Sequence, residues 1–419
     1  MTKQNLQTLK GFRDFLPEEA RQRQYVSDQI KAVFEIYGFA SLQTPTLEYA
    51  SLLLGKYGEE ADKLVYTFED RGGRQVGLRY DQTVPTARIL SQYQNELPKY
   101  FRRYQIQNVF RADKPQKGRY REFTQCDCDI FGSKDALADA ELLAVVEAVF
   151  KKLGFTSTRI EFNDRQLLMD NLQAFVTPEI DVFSIIQSID KLDKQSPEEI
   201  IEELTDKGLT RTAAEAVLGK LDKIEMSPIL QKIVQKSYAL GVAKETLVFN
   251  PKLARGLDYY TGLIFEVKIP EYGNSSVGGG GRYDNLIEDL SGYSMPATGF
   301  ALGFDRVVEI CQAMNLIPEA STSATVQVSF FEDEACQDKA LDLARQLRQA
   351  EIKTEVSPKP DKLAKQFKVA EQKKIPFVIV VGTNELKTGN FAFKNMATGE
   401  QKFCSIEEIL EQLNSSDQD

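Results

Sequence analysis

The stretch Phe110-Arg-Ala-Asp-Lys-Pro-Gln-Lys-Gly-Arg-Tyr-Arg-Glu-Phe-Thr-Gln-Cys-Asp-Cys-Asp129 governs the reading of the whole chain. Its middle, Lys114-Pro-Gln-Lys-Gly118, has turn composition and separates two strand-like runs, which predicts a hairpin. Side chains alternate between the faces of a strand. Arg119, Arg121, Phe123, Gln125, Asp127 and Asp129 therefore share one face, and Thr124, Cys126, Cys128 and Ile130 the other. Two guanidinium groups, a ring, an amide and two carboxylates make a poor core face. They suit a site that holds an anionic phosphate at one end and a cationic or amide-like group at the other. A solvated hairpin with internal ion pairs is the competing reading of the same pattern. Cys126 and Cys128 lie on the opposite face with no second cysteine pair and no imidazole, so they read as buried structural cysteines and no metal site is expected.

The surrounding 419 residues imply two or three domains at about 150 residues each. With 42% hydrophobic and 27% charged residues, the composition is that of a globular protein. Histidine is absent. That removes Ser-His-Asp and Cys-His nucleophile systems, imidazole bases and every metal site that needs imidazole. Catalysis must rest on carboxylates, Arg, Lys, Tyr, backbone groups or groups borrowed from a substrate. The net charge of −10 argues against a uniformly basic nucleic-acid coat while leaving room for a local basic face. Five scattered cysteines fit a reduced, cytoplasmic compartment better than a disulfide framework. Apolar runs stay as short as Phe377-Val-Ile-Val-Val381, and Met1-Thr-Lys-Gln-Asn-Leu6 has no apolar core of a secretion signal, so no membrane partner is expected.

Val26, Ile30, Val33 and Tyr37 recur at helical spacing after Leu16-Pro17, and Gly38 marks the stop. Strand-like pieces follow around residues 44–47 and 76–79. Residues 163–248 have a different texture: Ser196-Pro-Glu-Glu199 reads as an N-cap, a first-turn proline and a capping-box glutamate, and a second helix runs from Ala213 to Ile224. This predicts a small helical insertion between strand-rich halves. From about residue 324 the order strand, helix, strand, helix, strand predicts an α/β domain. Residues 353–374 carry seven Lys against Glu355, Asp361 and Glu371, which suits phosphate-backbone contact or simply a solvated helix face.

Three further segments are weak singly. Arg255-Gly-Leu-Asp-Tyr-Tyr-Thr-Gly262 places two tyrosines between glycines. Val277-Gly-Gly-Gly-Gly-Arg-Tyr-Asp284 lacks the Lys-Ser/Thr of a phosphate loop and suggests close backbone packing or a tight turn. Thr298-Gly-Phe-Ala-Leu-Gly-Phe-Asp-Arg306 predicts a strand entering a helix with Arg306 near its start.

Taken in this order, the segments resemble the histidyl-tRNA synthetases, a family of class II aminoacyl-tRNA synthetases. Lys10-Gly-Phe-Arg-Asp-Phe-Leu-Pro17 is similar to the family's opening, Gln43-Thr-Pro-Thr-Leu-Glu48 to motif 1, residues 110–129 to motif 2 and 298–306 to motif 3. Leu78-Arg-Tyr-Asp-Gln-Thr83, Arg255-Gly-Leu-Asp-Tyr-Tyr260 and Gly280-Gly-Arg-Tyr-Asp284 are specific to the histidine enzymes and their close relatives. The resemblance implies an α+β fold: a six-stranded antiparallel catalytic sheet flanked by helices (residues 1–165 and 249–323), a helical insertion (166–248) and a C-terminal α/β anticodon-binding domain (324–419). It implies activation of L-histidine by ATP with Mg²⁺, transfer to tRNA(His), and a homodimer with the motif 1 proline at its interface.

It also implies roles for residues. Arg111 and Arg306 would hold the ATP phosphates, Phe123 would stack on adenine, Asp113 would contact its edge, and Arg119 would assist the phosphate end. Asp81, Thr83 and Gln125 would receive the amino group of histidine. Asp129 and Tyr260 would bracket the imidazole, with Tyr259 and Tyr283 shaping the pocket. Arg255 would sit beside the substrate carboxylate and the α-phosphate. Lys114 and Gln116 would contact the tRNA acceptor end. Arg255, Arg111 and Gln125 form the expected catalytic set. Asp129 stands where many bacterial members carry a longer Glu, and Lys114 replaces a commoner Arg. A non-catalytic regulatory paralogue of histidine biosynthesis is the alternative, but that paralogue lacks the tail and erodes the ATP-facing arginines, both present here.

Overall fold

In the computed structural model, which describes residues 6–55, 63–114, 120–255, 259–273, 275–318 and 324–416, the hairpin consists of two long antiparallel strands, Phe101–Phe110 and Glu122–Phe131. They belong to a sheet whose strands run in the order Ala40–Ser41, Phe101–Phe110, Glu122–Phe131, Ala297–Gly303, Gly278–Arg282, Leu263–Lys268, Arg159–Asp164, Leu247–Phe249. The middle six are antiparallel throughout, as expected of the catalytic sheet. The two outer strands are additional. Each is very short, pairs in parallel, and is joined to its partner by a long crossover (residues 42–100 for one, 165–246 for the other), as parallel pairing requires.

Alternation sorts this sheet into two unlike faces. Cys126, Cys128, Ile130, Phe300, Leu302, Phe265 and Val267 enter one hydrophobic core with Val26, Ile30, Val33 and Phe34 of the first helix and Leu142, Val145, Val146 and Val149 of helix Ala136–Lys152. Leu230, Ile233 and Val234 of helix Pro228–Ala239 join the same core. The other face carries Gln125, Asp127 and Asp129, with Gly299, Ala301 and Gly303 opposite them on the neighbouring strand. The paired cysteines therefore pack in the core, and burial pushes both thiols well above their ordinary pKa.

The glycine run is a central strand, not a turn. A Cβ on Gly280 would stand 2.0 Å from the Gly299 carbonyl oxygen, so the close-packing reading holds. Four helices between Arg165 and Leu221 (Arg165–Leu172, Val182–Ile189, Pro197–Asp206, Arg211–Leu221) gather around Ile185, Ile186, Ile200, Leu204, Val217 and Leu221. Ser196 and Glu199 form the anticipated reciprocal capping box.

A second compact unit, Pro318–Asp419, follows the first, Met1–Ile317. Its five-stranded sheet runs Thr354–Val356, Val326–Phe330, Phe377–Val381, Phe391–Asn395, Gln401–Cys404; the first three strands are parallel and the last two antiparallel. The parallel part, with helices Glu334–Gln349 and Leu363–Gln372, is the alternation read in the tail.

Two glycine substitutions test this packing in opposite directions. Gly280→Ala forces a backbone clash in the central sheet and is expected to abolish soluble, folded protein. Gly219→Ala, in helix Arg211–Leu221 with nothing within 4 Å of the new methyl, is expected to stabilise by about 0.5–1 kcal/mol. Thermal melting of both variants checks the pair.

Candidate functional site

Residues 79–83 are tied to the polar face of the sheet before any ligand group is considered. The buried Arg79 guanidinium donates to the carbonyl oxygens of Thr44 (2.7 Å) and Asn108 (2.6 Å). Gln82 Nε2 bridges the carbonyls of Gln107 and Gln125 at 3.0 and 3.1 Å, stitching the hairpin strands to this loop. Asp81 Oδ1 accepts the Val84 N–H at 3.0 Å and so stabilises the start of helix Thr83–Gln92. Asp81, Thr83 and Gln125 all line one cavity of about 870 Å³.

The far end of that cavity is built on buried charge. Asp129 Oδ2 lies 2.8 Å from Arg103 Nη2, and its Oδ1 accepts the Tyr283 hydroxyl. Asp127 Oδ2 lies 3.9 Å from the same Arg103 nitrogen. Burial raises the pKa of both carboxyls against the pull of Arg103. Asp127, which also feels Asp129 and Asp81, is pushed up to about 7. Tyr259, Tyr260 and Tyr283 wall this end, with ring centroids 4.6 Å apart for the first pair and 6.1 Å for Tyr259 and Tyr283. Burial holds the Tyr259 and Tyr283 hydroxyls protonated, well above their ordinary pKa.

A second cavity of about 420 Å³ adjoins the first and shares Arg111, Asp113, Arg255, Gly279 and Ala301 with it. Phe123 and Arg306 line it as well. The Arg111 guanidinium lies 4.9 Å from the Tyr80 ring centre and 5.1 Å from that of Phe123, and its Nε donates to the Tyr80 carbonyl at 3.1 Å. Arg306 is exposed and donates to the Ser276 carbonyl at 2.7 Å. Arg255 adopts a left-handed backbone conformation (φ 46°), and its Nη1 lies 3.2 Å from Glu266 Oε1. A Cβ on Gly279 would stand 2.2 Å from that same nitrogen, so only glycine leaves room for the guanidinium there.

The structure thus gathers Asp81, Thr83, Gln125, Asp129, Arg255, Tyr259, Tyr260 and Tyr283 around one cavity, and Arg111, Asp113, Phe123, Arg255 and Arg306 around the other. Lys114 is exposed at the start of the hairpin loop, while Gln116 and Arg119 lie outside the described residues. The sequence reading put Asp127 on the polar face of the hairpin without a separate role, and gave none to Arg103, Glu266 or Asp305. Antiparallel register counted back from the hairpin loop places Arg103 opposite Asp129 and Gln105 opposite Asp127, a signal present in the sequence. Asp305 carries another tie: its Oδ1 meets Arg13 at 2.7 Å and Arg23 at 2.6 Å, and its Oδ2 accepts the Thr124 N–H at 3.2 Å. The Arg13 guanidinium also lies 3.4 Å from the Tyr120 ring centre, so the segment before the first helix braces the hairpin beside the smaller cavity.

Residues 11–307 match the family model described as Histidyl-tRNA synthetase, and residues 321–416 match the one described as Anticodon binding domain. A histidine–tRNA ligase of Porphyromonas gingivalis is 38% identical over 438 residues, covering 94% of this chain and 95% of that protein. One from Wolinella succinogenes is 38% identical over 434 residues, covering 97% of each. Among solved structures, histidyl-tRNA synthetase from Nostoc sp. PCC 7120 superposes with a TM-score of 0.86 at 27% identity, covering 98% of this chain and 99% of that one. Matched from end to end by such relatives and by the family's own model, the chain belongs to the histidyl-tRNA synthetase family of class II aminoacyl-tRNA synthetases.

Proposed function

We propose that this protein is a histidine–tRNA ligase: it forms histidyl-adenylate from L-histidine and ATP, releases pyrophosphate, and passes the histidyl group to the 3′ end of tRNA(His), releasing AMP. The observation that best supports this reading is the junction of two unlike cavities at Arg255, carboxylates and tyrosine rings on one side and arginines with Phe123 on the other. Such a pair suits a substrate that is cationic and aromatic at one end and polyanionic at the other.

In the first step the histidine carboxylate, already ionised, attacks the α-phosphorus in line with the departing pyrophosphate. No general base is needed, which fits a chain without histidine. Arg111 and Arg306, assisted by Arg119, take the phosphate charge; Phe123 stacks on adenine and Asp113 contacts its edge. Arg255 stands at the junction, where the attacking carboxylate and α-phosphate meet, and neutralises the charge that grows there. Mg²⁺ enters bound to the ATP phosphates as part of the substrate. No group of three or more Cys, Asp or Glu that could hold a metal occurs among the described residues. Asp81, Thr83 and Gln125 receive the ammonium group, and the tyrosine-walled end receives the imidazole. In the second step a ribose hydroxyl of the tRNA attacks the mixed anhydride, and the adenylate phosphate takes its proton. Lys114 and Gln116 reach the acceptor end. Residues 1–165 with 249–323 act as the catalytic domain, 166–248 as an insertion, and 324–419 as the anticodon-binding domain, in the cytoplasm. The regulatory-paralogue reading needs neither Arg111 and Arg306 in the nucleotide cavity nor the second unit, and their presence favours the catalyst.

The protein works as a homodimer in this reading. Leu47, Tyr49 and Phe68 support it: all three are exposed on the small sheet formed by Leu47–Tyr49, Gln75–Leu78 and Thr67–Glu69, directly after the motif 1 proline Pro45. Sedimentation equilibrium should give twice the chain mass, reduced to one chain mass by Leu47→Asp. A monomeric wild-type protein at micromolar concentration contradicts the homodimer.

ATP–pyrophosphate exchange tests the activity. Exchange is expected with histidine and with no other amino acid. Arg255→Ala is expected to lower kcat by about 10²–10³-fold, as loss of a preorganised charge stabiliser does. Arg111→Ala should raise KM for ATP by about tenfold or more, because a charge-assisted phosphate contact is lost. Histidine binding without exchange would instead support the regulatory reading.

A further inference from the structure

Charge around the smaller cavity does not by itself favour a polyphosphate. Arg111, Arg255 and Arg306 line it, but so do Asp113, Glu266 and Asp305. Three guanidinium groups against three carboxyl groups leave formally no net charge among the described lining residues. Arg255 is moreover paired with Glu266 at 3.2 Å, which draws that cation toward the protein. A ligand carrying several negative charges needs a positive potential, so groups behind the lining must provide it.

Two such groups come from the first helix and the segment before it. Arg13 Nη2 and Arg23 Nη1 converge on a single oxygen, Asp305 Oδ1, at 2.7 and 2.6 Å. The Arg23 and Asp305 side chains are each 13% exposed, so water screens these charges only in part. Rings hold both guanidinium groups where they are. The contacts run Tyr120, Arg13, Phe15, Arg23, Phe304, from the end of the hairpin loop to the start of helix Phe304–Ala313. The Arg13 guanidinium carbon lies 3.4 and 4.9 Å from its two ring centres, that of Arg23 3.9 and 5.2 Å from its own pair. Arg23 Nη2 also donates to Thr124 Oγ1 at 3.2 Å, and the Arg121 N–H donates to the Gly11 carbonyl at 2.8 Å. One guanidinium would balance one carboxylate. The second leaves a surplus positive charge directly beside Arg306, the next residue in the chain.

We propose that Arg13 and Arg23 are positioning residues of the nucleotide site: together they cancel Asp305 and leave a surplus cation behind a charge-balanced lining, which then attracts the triphosphate. This rests on the reading of the smaller cavity as the ATP site. A unit charge about 10 Å from another in a partly wet cleft changes affinity by about tenfold. Because Arg23 acts through Asp305, loss of the two charges is not additive. Removing the cation exposes a carboxylate to the phosphates, and removing that carboxylate as well takes the repulsion away.

ATP–pyrophosphate exchange with the whole chain, varied first in ATP and then in histidine, tests this. Arg23→Ala is expected to raise KM for ATP by about tenfold and to keep KM for histidine within about twofold of wild type. Arg13→Ala, at the more exposed of the two arginines, should act in the same direction by a smaller factor. The deciding variant combines Arg23→Ala with Asp305→Asn, which removes the carboxylate charge and keeps an acceptor for the Thr124 N–H. It is expected to return KM for ATP to within about threefold of wild type. Thermal melting shows which variants are folded. A purely structural brace predicts KM for both substrates rising together and a double variant worse than either single one. That outcome in folded protein, or an Arg23→Ala variant with wild-type KM for ATP, would overturn the assignment alone. Wild-type protein that exchanges with no amino acid would overturn the functional reading and the assignment together.

Discussion

The buried guanidinium of Arg103, set between Asp127 and Asp129, is the interaction on which the site depends. Three ionisable side chains on one face of a central sheet are tolerable only because they compensate one another and because the opposite face is continuously apolar. Cys126, Cys128 and Ile130 anchor the strand in the helix-covered core, so the odd-numbered residues between them have no freedom to turn away. The sheet thereby converts a packing requirement into a fixed array of charges. Tyr283 ties that array to the strand–helix segment beyond Gly278–Arg282, which means the tyrosine-walled end of the larger cavity is preorganised by contacts from three separate stretches of chain.

Arg255 does the corresponding work between the two cavities. Its backbone is in a left-handed conformation, its guanidinium rests against Glu266, and the strand beside it can carry only glycine at position 279. The glycine run is therefore a means of bringing a guanidinium onto the sheet floor, where a bulkier strand would exclude it. Around the smaller cavity, Asp305 joins the start of helix Phe304–Ala313 to the hairpin through Thr124 and to the N-terminal segment through Arg13 and Arg23. Charge pairs deep in the sheet and charge pairs at its rim thus serve the same end, which is to fix side chains that a mobile polar cleft would leave scattered.

Where a local pattern determined the outcome, the sequence was legible. Period-two alternation placed Asp127 and Asp129 opposite the cysteines, helical spacing placed Val26, Ile30 and Val33 in the core, and Ser196 with Glu199 announced a capped helix. The six antiparallel strands, by contrast, followed from the resemblance that the segments bear, in their order, to the synthetase family. What escaped depended on chain segments far apart in sequence. The two parallel edge strands are two or three residues long and have no pattern of their own. Glycines at 278–281 look like a turn until neighbouring strands close on both sides. Glu266 acquires meaning only when the fold brings Arg255 to it, and Arg103 only when the hairpin register is counted.

The central claim is that the two joined cavities hold the two halves of one adenylate. Mixing the protein with labelled histidine and MgATP in the presence of pyrophosphatase, then passing it through gel filtration, measures this most directly. The account predicts hydroxylamine-reactive histidyl-adenylate travelling with the protein at close to one per chain. Protein that emerges with histidine alone, or with nothing, would contradict it.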